Sequence, residues 1–286
     1  MTYFLNLRAQ AVGGGVAGSV SLWNENVYLD PSILPDLVRG QDVLIATHGF
    51  NVTQAEGMIA LSGWGSLLTL PDMVYLAVLW PGDSSWAFGL DYPVEGSEAI
   101  SSAQLLAPFL DTYCSSAMSL SFASHSLGAR MVLETIRRTQ CPVKSAVLMA
   151  GAIDDTCLGD EYHDAAAKLE SVSVLASKGD DVLEWAFPLG NLASGVVTRD
   201  SPYWHGALGR YGPSDGIPAD VTVTPLWQIP DDWNYGHHNY LPRAIVPPPG
   251  PYPVPENIPP QGTPPPVDFP DATPAWSAAI ASTRLA

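Results

Sequence analysis

Positive charge is scarce in this chain. Its 286 residues carry 12 Lys and Arg against 29 Asp and Glu, a formal net charge of −17. A field of that sign repels phosphate backbones and anionic lipid surfaces, which argues against a nucleic-acid partner and reads as a solubility device. Cysteine is scarce too. Cys114, Cys141 and Cys157 are odd in number and fit no zinc spacing. They read as reduced, partly buried thiols of a reducing compartment, with room for one Cys114–Cys141 or Cys141–Cys157 disulfide. No stretch approaches 18 uninterrupted apolar residues, so no membrane span is expected. The start, "MTYFLNLRAQAVGGG", lacks a basic segment followed by an apolar run. No signal peptide is seen there, and a cytoplasmic protein is expected.

What is abundant is apolar residues, 47% against 14% charged, enough for a large core. Proline is abundant in one place: 13 of the 27 fall within the 28 residues from Pro247 to Pro274. That segment reads as polyproline II without a core of its own. The chain therefore divides into a domain over 1–246 and a Pro-rich extension over 247–286, read as a strap docked on the domain.

Within the domain, short continuously apolar runs alternate with helical spacing. "DVLIATHGF", "MVYLAVLWPGD", "LSFAS", "KSAVLMAGAID" and "VSVLASKGDD" read as strands buried on both faces, and "DVTVTPLWQI" as a last strand. "QAEGMIALSGWGSLL", "EGSEAISSAQLLAPFLDTYC", "SLGARMVLETIRRTQ" and "DEYHDAAAKLES" read as helices. Tyr3–Arg8 alternates like an edge strand, with Asn26–Leu29 as its hairpin partner beyond the turn at Gly13–Gly15. Residues 188–220 have little periodicity. The fold class is α/β, a mostly parallel central sheet with helices on both faces.

Four segments carry chemistry. "ASHSLGARMV" places Ser126 between a strand and a helix, in a small-x-Ser-x-Gly pattern with Ser124 where glycine is usual. A sharp turn there lifts a serine hydroxyl clear of the backbone, and small neighbours two residues away let strand and helix cross closely. Taken alone, Ser126 is equally well read as a helix N-cap. "THGFN" ends an earlier strand, and its Gly49 lets the Phe50 amide turn inward. With the Leu127 amide it would form an oxyanion hole, leaving His48 a structural role. "LASKGDDVL" offers Asp180 as the carboxylate that orients a base, with Asp181 as helix cap or in the swapped role. Asp154 and Asp155 are the runners-up. The base follows in chain order: His238 in "YGHHNYL", with His237 as the alternative and His205 further back. Trp80, Trp86, Phe88 and Tyr92, in or beside "WPGDSSWAFGLDYP", are pocket candidates, as are Trp204 and Tyr211; equally, such aromatics cover cores.

These segments occur in the order and at the strand ends that an α/β-hydrolase requires. The chain resembles the bacterial α/β-hydrolase family of unassigned function in His48–Asn51, Trp80-Pro81, Ser124–Arg130, Ser177–Leu183, Leu208–Pro213 and His238-Asn239-Tyr240. The resemblance runs from Val43 to Leu241, outside the N-terminal strands and the Pro-rich tail. It implies carboxylic ester hydrolysis, and its H-x-Y element implies His238 over His237. The expectation is a Ser126–His238–Asp180 esterase needing no metal or cofactor, acting on a small-molecule or polymeric ester. The alternatives are an acyltransferase or amidase with the same triad, or a non-catalytic binding protein of the same fold.

Overall fold

The computed structural model describes residues 2–67, 73–83, 92–184, 206–214, 217, 219, 221–229, 231 and 235–240. The Pro-rich extension, His205, Trp86, Phe88 and Trp204 lie outside them, as does the side chain of Tyr92. Among the described residues nine strands form one sheet: β1 (Tyr3–Arg8), β2 (Val16–Asn24), β3 (Val27–Leu29), β4 (Asp42–Thr47), β5 (Met73–Leu79), β6 (Ser119–His125), β7 (Val143–Met149), β8 (Ser171–Ser177) and β9 (Val223–Ile229). Their order is β3-β2-β1-β5-β4-β6-β7-β8-β9. Every pairing from β1 through β5 to β9 is parallel, and β2 alone runs antiparallel to its neighbours.

The central strands form for the reason their composition suggests. All seven residues of β6 and of β8 are buried, the pattern of strands covered on both faces. The helices are α1 (Leu34–Leu37), α2 (Gln54–Leu67), α3 (Tyr92–Tyr113), α4 (Gly128–Arg138), α5 (His163–Ala166) and α6 (Leu208–Tyr211). α3 packs on α4 and against β1 and β2, α2 lies on β5, and α6 lies on β8. Lys168 closes the C-terminal end of α4, its ammonium donating to the carbonyls of Ile136, Arg137 and Thr139, where the helix dipole favours a cation. No described helix is long and apolar enough to cross a membrane. The three cysteines are buried free thiols, and burial pushes Cys114 up to about 12.

Three expectations are corrected. β1 is an interior strand between β2 and β5 rather than an edge. Its polar alternation misleads because both polar residues are bonded internally: Asn6 Oδ1 accepts from the Arg8 amide, and the Arg8 guanidinium is buried in a network described below. The hairpin partner of β1 is β2, whose small residues (Gly18, Ser19, Ser21) mask it as a strand. Asn26–Leu29 supplies the next strand out, β3. "DEYHDAAAKLES" forms one helical turn, not a full helix.

Where β6 gives way to α4, the chain passes close against the turn after β4. A Cβ on Gly128 would lie 2.5 Å from the His48 carbonyl oxygen, so any side chain there forces the turn after β4 away from the helix. Ser124, two residues before the elbow, is fully buried, and no described residue bonds its hydroxyl. Gly128→Ala is therefore expected to cost about 1–3 kcal/mol. Ser124→Ala, which removes an unbonded buried hydroxyl, should leave stability unchanged or raise it. Thermal unfolding of the two variants measures both.

Candidate active site

Ser126 sits at the carboxyl end of β6 with φ +54°, in the left-handed region that non-glycine residues enter at a cost of about 1–3 kcal/mol. The turn is held from β7. The Ser126 amide donates to the Met149 carbonyl at 2.9 Å, and the Ser126 carbonyl accepts from the Ala152 amide at 3.2 Å. The result is a side chain raised off the strand toward the loops.

Its hydroxyl meets an imidazole, and that imidazole belongs to His237. Ser126 Oγ lies 2.9 Å from His237 Nε2, and His237 Nδ1 lies 2.7 Å from Asp180 Oδ2. A carboxylate accepts only, so Nδ1 carries the proton and Nε2 is left to accept from the serine. His238, the expected base, bonds neither partner. Its ring packs edge-on against His237 with centroids 5.5 Å apart, and its Nδ1 is buried without a described partner. Burial, followed by the neighbouring His237, lowers His238 to about 4.

The choice between the two histidines is made by contacts far apart in sequence. The Tyr235 carbonyl accepts from Ser177 Oγ at 2.7 Å, the His237 carbonyl from His125 Nε2 at 2.8 Å, and the Tyr240 carbonyl from Trp64 Nε1 at 3.1 Å. Asn239 Oδ1 accepts from the Gly236 amide, and Tyr235 donates its hydroxyl to the Asn239 carbonyl. The loop is thereby pinned to β8, β6 and α2 with the first histidine facing inward.

Asp180 is fully buried and does two jobs. Oδ2 faces His237, while Oδ1 accepts from the Leu183 amide at 2.9 Å and caps the turn beginning at Asp181. Asp181 is exposed. Arg210 of α6 donates to the Asp180 carbonyl at 2.7 Å and pairs with Glu184. The Asp155 carboxylate accepts from the Gly206 amide, and the Asp154 backbone bridges to Ala207, while the carboxylate on His237 Nδ1 is that of Asp180. Tyr211 is exposed beside Arg210.

The turn after β4 runs against the serine. A Cβ on Gly49 would come within 2.7 Å of Ser126 Cβ and 3.0 Å of His125 Nδ1, so glycine is required for the approach. Among the described residues no group accepts from the amide of Phe50 or of Leu127. The Phe50 side chain points outward, 38% exposed. His48 is buried, its Nδ1 donating to the Gly49 carbonyl and its Nε2 facing the Trp80 amide at 3.4 Å. Trp80, a pocket candidate, is fully buried instead. It stacks on His48 with an interplanar angle of 14° and donates its indole N–H to the His48 carbonyl. It supports the turn from behind.

Sequence reading missed His125, Arg210 and the buried Arg8–Asp83 pair. His125 is a variable position of the elbow pattern, Arg210 lies in a segment noted only for its resemblance, and Arg8 lies outside every motif. Among the described residues no three His, Cys, Asp or Glu are grouped to hold a metal.

A mostly parallel sheet whose elbow serine meets, at successive strand ends, an imidazole and a buried carboxylate defines the α/β-hydrolase fold. The chain belongs to the family described as alpha/beta hydrolase of unknown function (DUF900), which it matches over residues 34–241. No curated protein matches it. Solved structures similar to it include an uncharacterized protein from Bacillus cereus ATCC 10987 (18% identity, TM-score 0.40, covering 75% of this chain and 57% of that one). Others are a lipase-esterase related protein from Clostridium acetobutylicum ATCC 824 (16%, 0.28, 43% and 46%) and MenH from S. aureus (18%, 0.27, 55% and 53%). The chain spans about half the length of these structures, and TM-scores this low carry no weight for chemistry.

The buried histidines make stability pH-dependent. Burial lowers His48 to about 4, against an upward push from its bond to the Gly49 carbonyl, with smaller contributions downward from Arg8 and upward from Asp83. His125 is lowered well below the usual imidazole range, first by burial and then by His237. In the unfolded chain these groups titrate near ~6.5. Between that pH and about 4 the unfolded state holds more protons, so stability is full above ~6.5 and falls as pH drops through the window. For His48 the span amounts to roughly 3 kcal/mol. Denaturant unfolding at pH 7 and pH 4.5 should show the loss, and His48→Asn should flatten it; equal slopes in both proteins would contradict the assignment.

Proposed function

We propose that the chain is a serine hydrolase that cleaves carboxylic esters through an acyl-enzyme on Ser126. The single observation that carries this reading is the continuous hydrogen-bonded path Ser126 Oγ–His237–Asp180 on a left-handed elbow serine. A serine hydroxyl is a weak nucleophile until a base takes its proton, and His237 Nε2 stands at bonding distance to do so.

In the first step Ser126 Oγ attacks the ester carbonyl carbon and its proton passes to His237 Nε2. The imidazolium is stabilised by Asp180, whose carboxylate also keeps the Nδ1 tautomer. The carbonyl oxygen becomes an oxyanion facing the amides of Phe50 and Leu127, whose freedom from described acceptors suits that task. Collapse expels the alcohol, which takes the proton from Nε2. In the second step water gives a proton to the same nitrogen and adds to the acyl carbon; collapse releases the acid, and Ser126 Oγ takes the proton back from Nε2.

The test is a fluorophosphonate probe together with p-nitrophenyl esters of increasing acyl length. The protein should label, and Ser126→Ala should abolish labelling. His237→Ala should lower kcat about 10⁴-fold, whereas His238→Ala should lower it less than about tenfold. The reverse order for the two histidines would move the base to His238. Unlabelled native protein that hydrolyses no ester in the series would overturn the reading.

A further inference from the structure

The Arg8 side chain is wholly buried, with a side-chain exposure of 0%. It comes from β1, ahead of the segment 34–241 that carries the family match. A guanidinium has five N–H donors in a fixed fork, and here each has an acceptor. Nε donates to the Gln10 carbonyl at 3.1 Å. Nη1 donates to the Val52 carbonyl at 3.1 Å and to the Trp80 carbonyl at 2.9 Å. Nη2 donates to the Ala11 carbonyl at 3.4 Å and to Asp83 Oδ1. Asp83 in turn accepts from the Gly13 amide at 3.0 Å through Oδ2. One side chain thus ties three chain segments together: the turn after β1, the turn after β4 and the turn after β5.

The middle segment is the one that bears on chemistry. Val52 lies two residues beyond Phe50. Between them Asn51 takes φ +56° and donates its amide to the Gly82 carbonyl, next to Asp83. A left-handed non-glycine residue holds only where its surroundings over-determine it. Here those surroundings are the Gly82 carbonyl and the guanidinium.

We propose that Arg8 is a positioning residue: through the Val52 and Trp80 carbonyls and Asp83 it fixes the turn that aims the Phe50 amide at the developing oxyanion. This rests on the ester-hydrolase reading for its catalytic meaning, while the clamp itself is a statement about the turn. The N-terminal β1–β2 hairpin is then a part of the active site rather than an appendage to it. Lysine cannot substitute, because an ammonium has three donors and no planar fork.

The full chain is the object of the test, with Arg8→Lys and the milder Asp83→Asn, which keeps an oxygen acceptor for the guanidinium. Two quantities are measured: kcat and KM on a p-nitrophenyl ester, and amide hydrogen exchange of peptides covering residues 48–54 and 177–183. Arg8→Lys should lower kcat about 10²-fold, the scale of a small misplacement of a catalytic group, with KM within about threefold. It should also speed exchange over 48–54 and leave 177–183 unchanged. Asp83→Asn should act in the same direction, by about tenfold in kcat. A purely structural role would lower kcat only with a general rise in exchange, and that pattern overturns the proposal. Unchanged kcat and unchanged exchange over 48–54 in Asp83→Asn overturn it as well, even if Arg8→Lys does not fold. Should the native protein neither label at Ser126 nor hydrolyse esters, the ester-hydrolase reading fails, and exchange over 48–54 alone decides the clamp.

Discussion

The turn after β4, the elbow after β6 and the first turn of α4 share a space that leaves no room for a Cβ at Gly49 or Gly128. Close contact of three backbones is unfavourable unless each is held by bonds of its own, and each is. The elbow hangs on the end of β7 and the turn that follows it, through Met149 and Ala152. The β4 turn is backed by Trp80 and His48 and tied by Arg8. α4 is closed at its far end by Lys168. The backward dihedral of Ser126 is sustained by this surrounding order, in keeping with the rule that strain persists where the neighbourhood over-determines it.

The histidine loop follows the same logic with different partners. Three successive carbonyl anchors, to Ser177, His125 and Trp64, come from two strands and a helix distant in sequence. His125 is notable because it is the last residue of β6, immediately before Ser126. The residue beside the elbow serine thus holds the backbone of the residue whose ring meets that serine, so the two cannot shift independently. Burial lowers His125 well below the usual imidazole range, and a carbonyl partner at Nε2 fixes the tautomer that carries its proton there.

Much of this was legible from residue order alone, for identifiable reasons. Strands β4 to β8 are short apolar runs between turn signals, a pattern that survives without any knowledge of neighbours. Ser126 and Asp180 stand at strand ends that the same pattern locates. What could not be read depends on tertiary partners. Asn6 and Arg8 look solvent-facing until their partners are known. β2 is built of small residues that gain strand character only between β1 and β3. His237 and His238 are chemically identical neighbours, and the resemblance favoured the second. Which ring faces inward is decided by bonds to Asn239, His125 and Ser177, none of them visible in the dipeptide. Trp80 was placed on a wall because its loop should overhang the serine, whereas its indole N–H found the His48 carbonyl behind the turn.

The closing of α4 by Lys168 has a practical side. The chain has only three lysines, Lys144, Lys168 and Lys178, and Lys168 spends its ammonium on three helix carbonyls. Among side-chain amines, acylating reagents are therefore steered to the other two. Lys178 is exposed just after β8, at the carboxyl ends of the parallel strands where Ser126 also lies. Lys144 opens β7 at the opposite end of the sheet. Immobilised through Lys144, the molecule would present its serine outward; through Lys178, it would face its support.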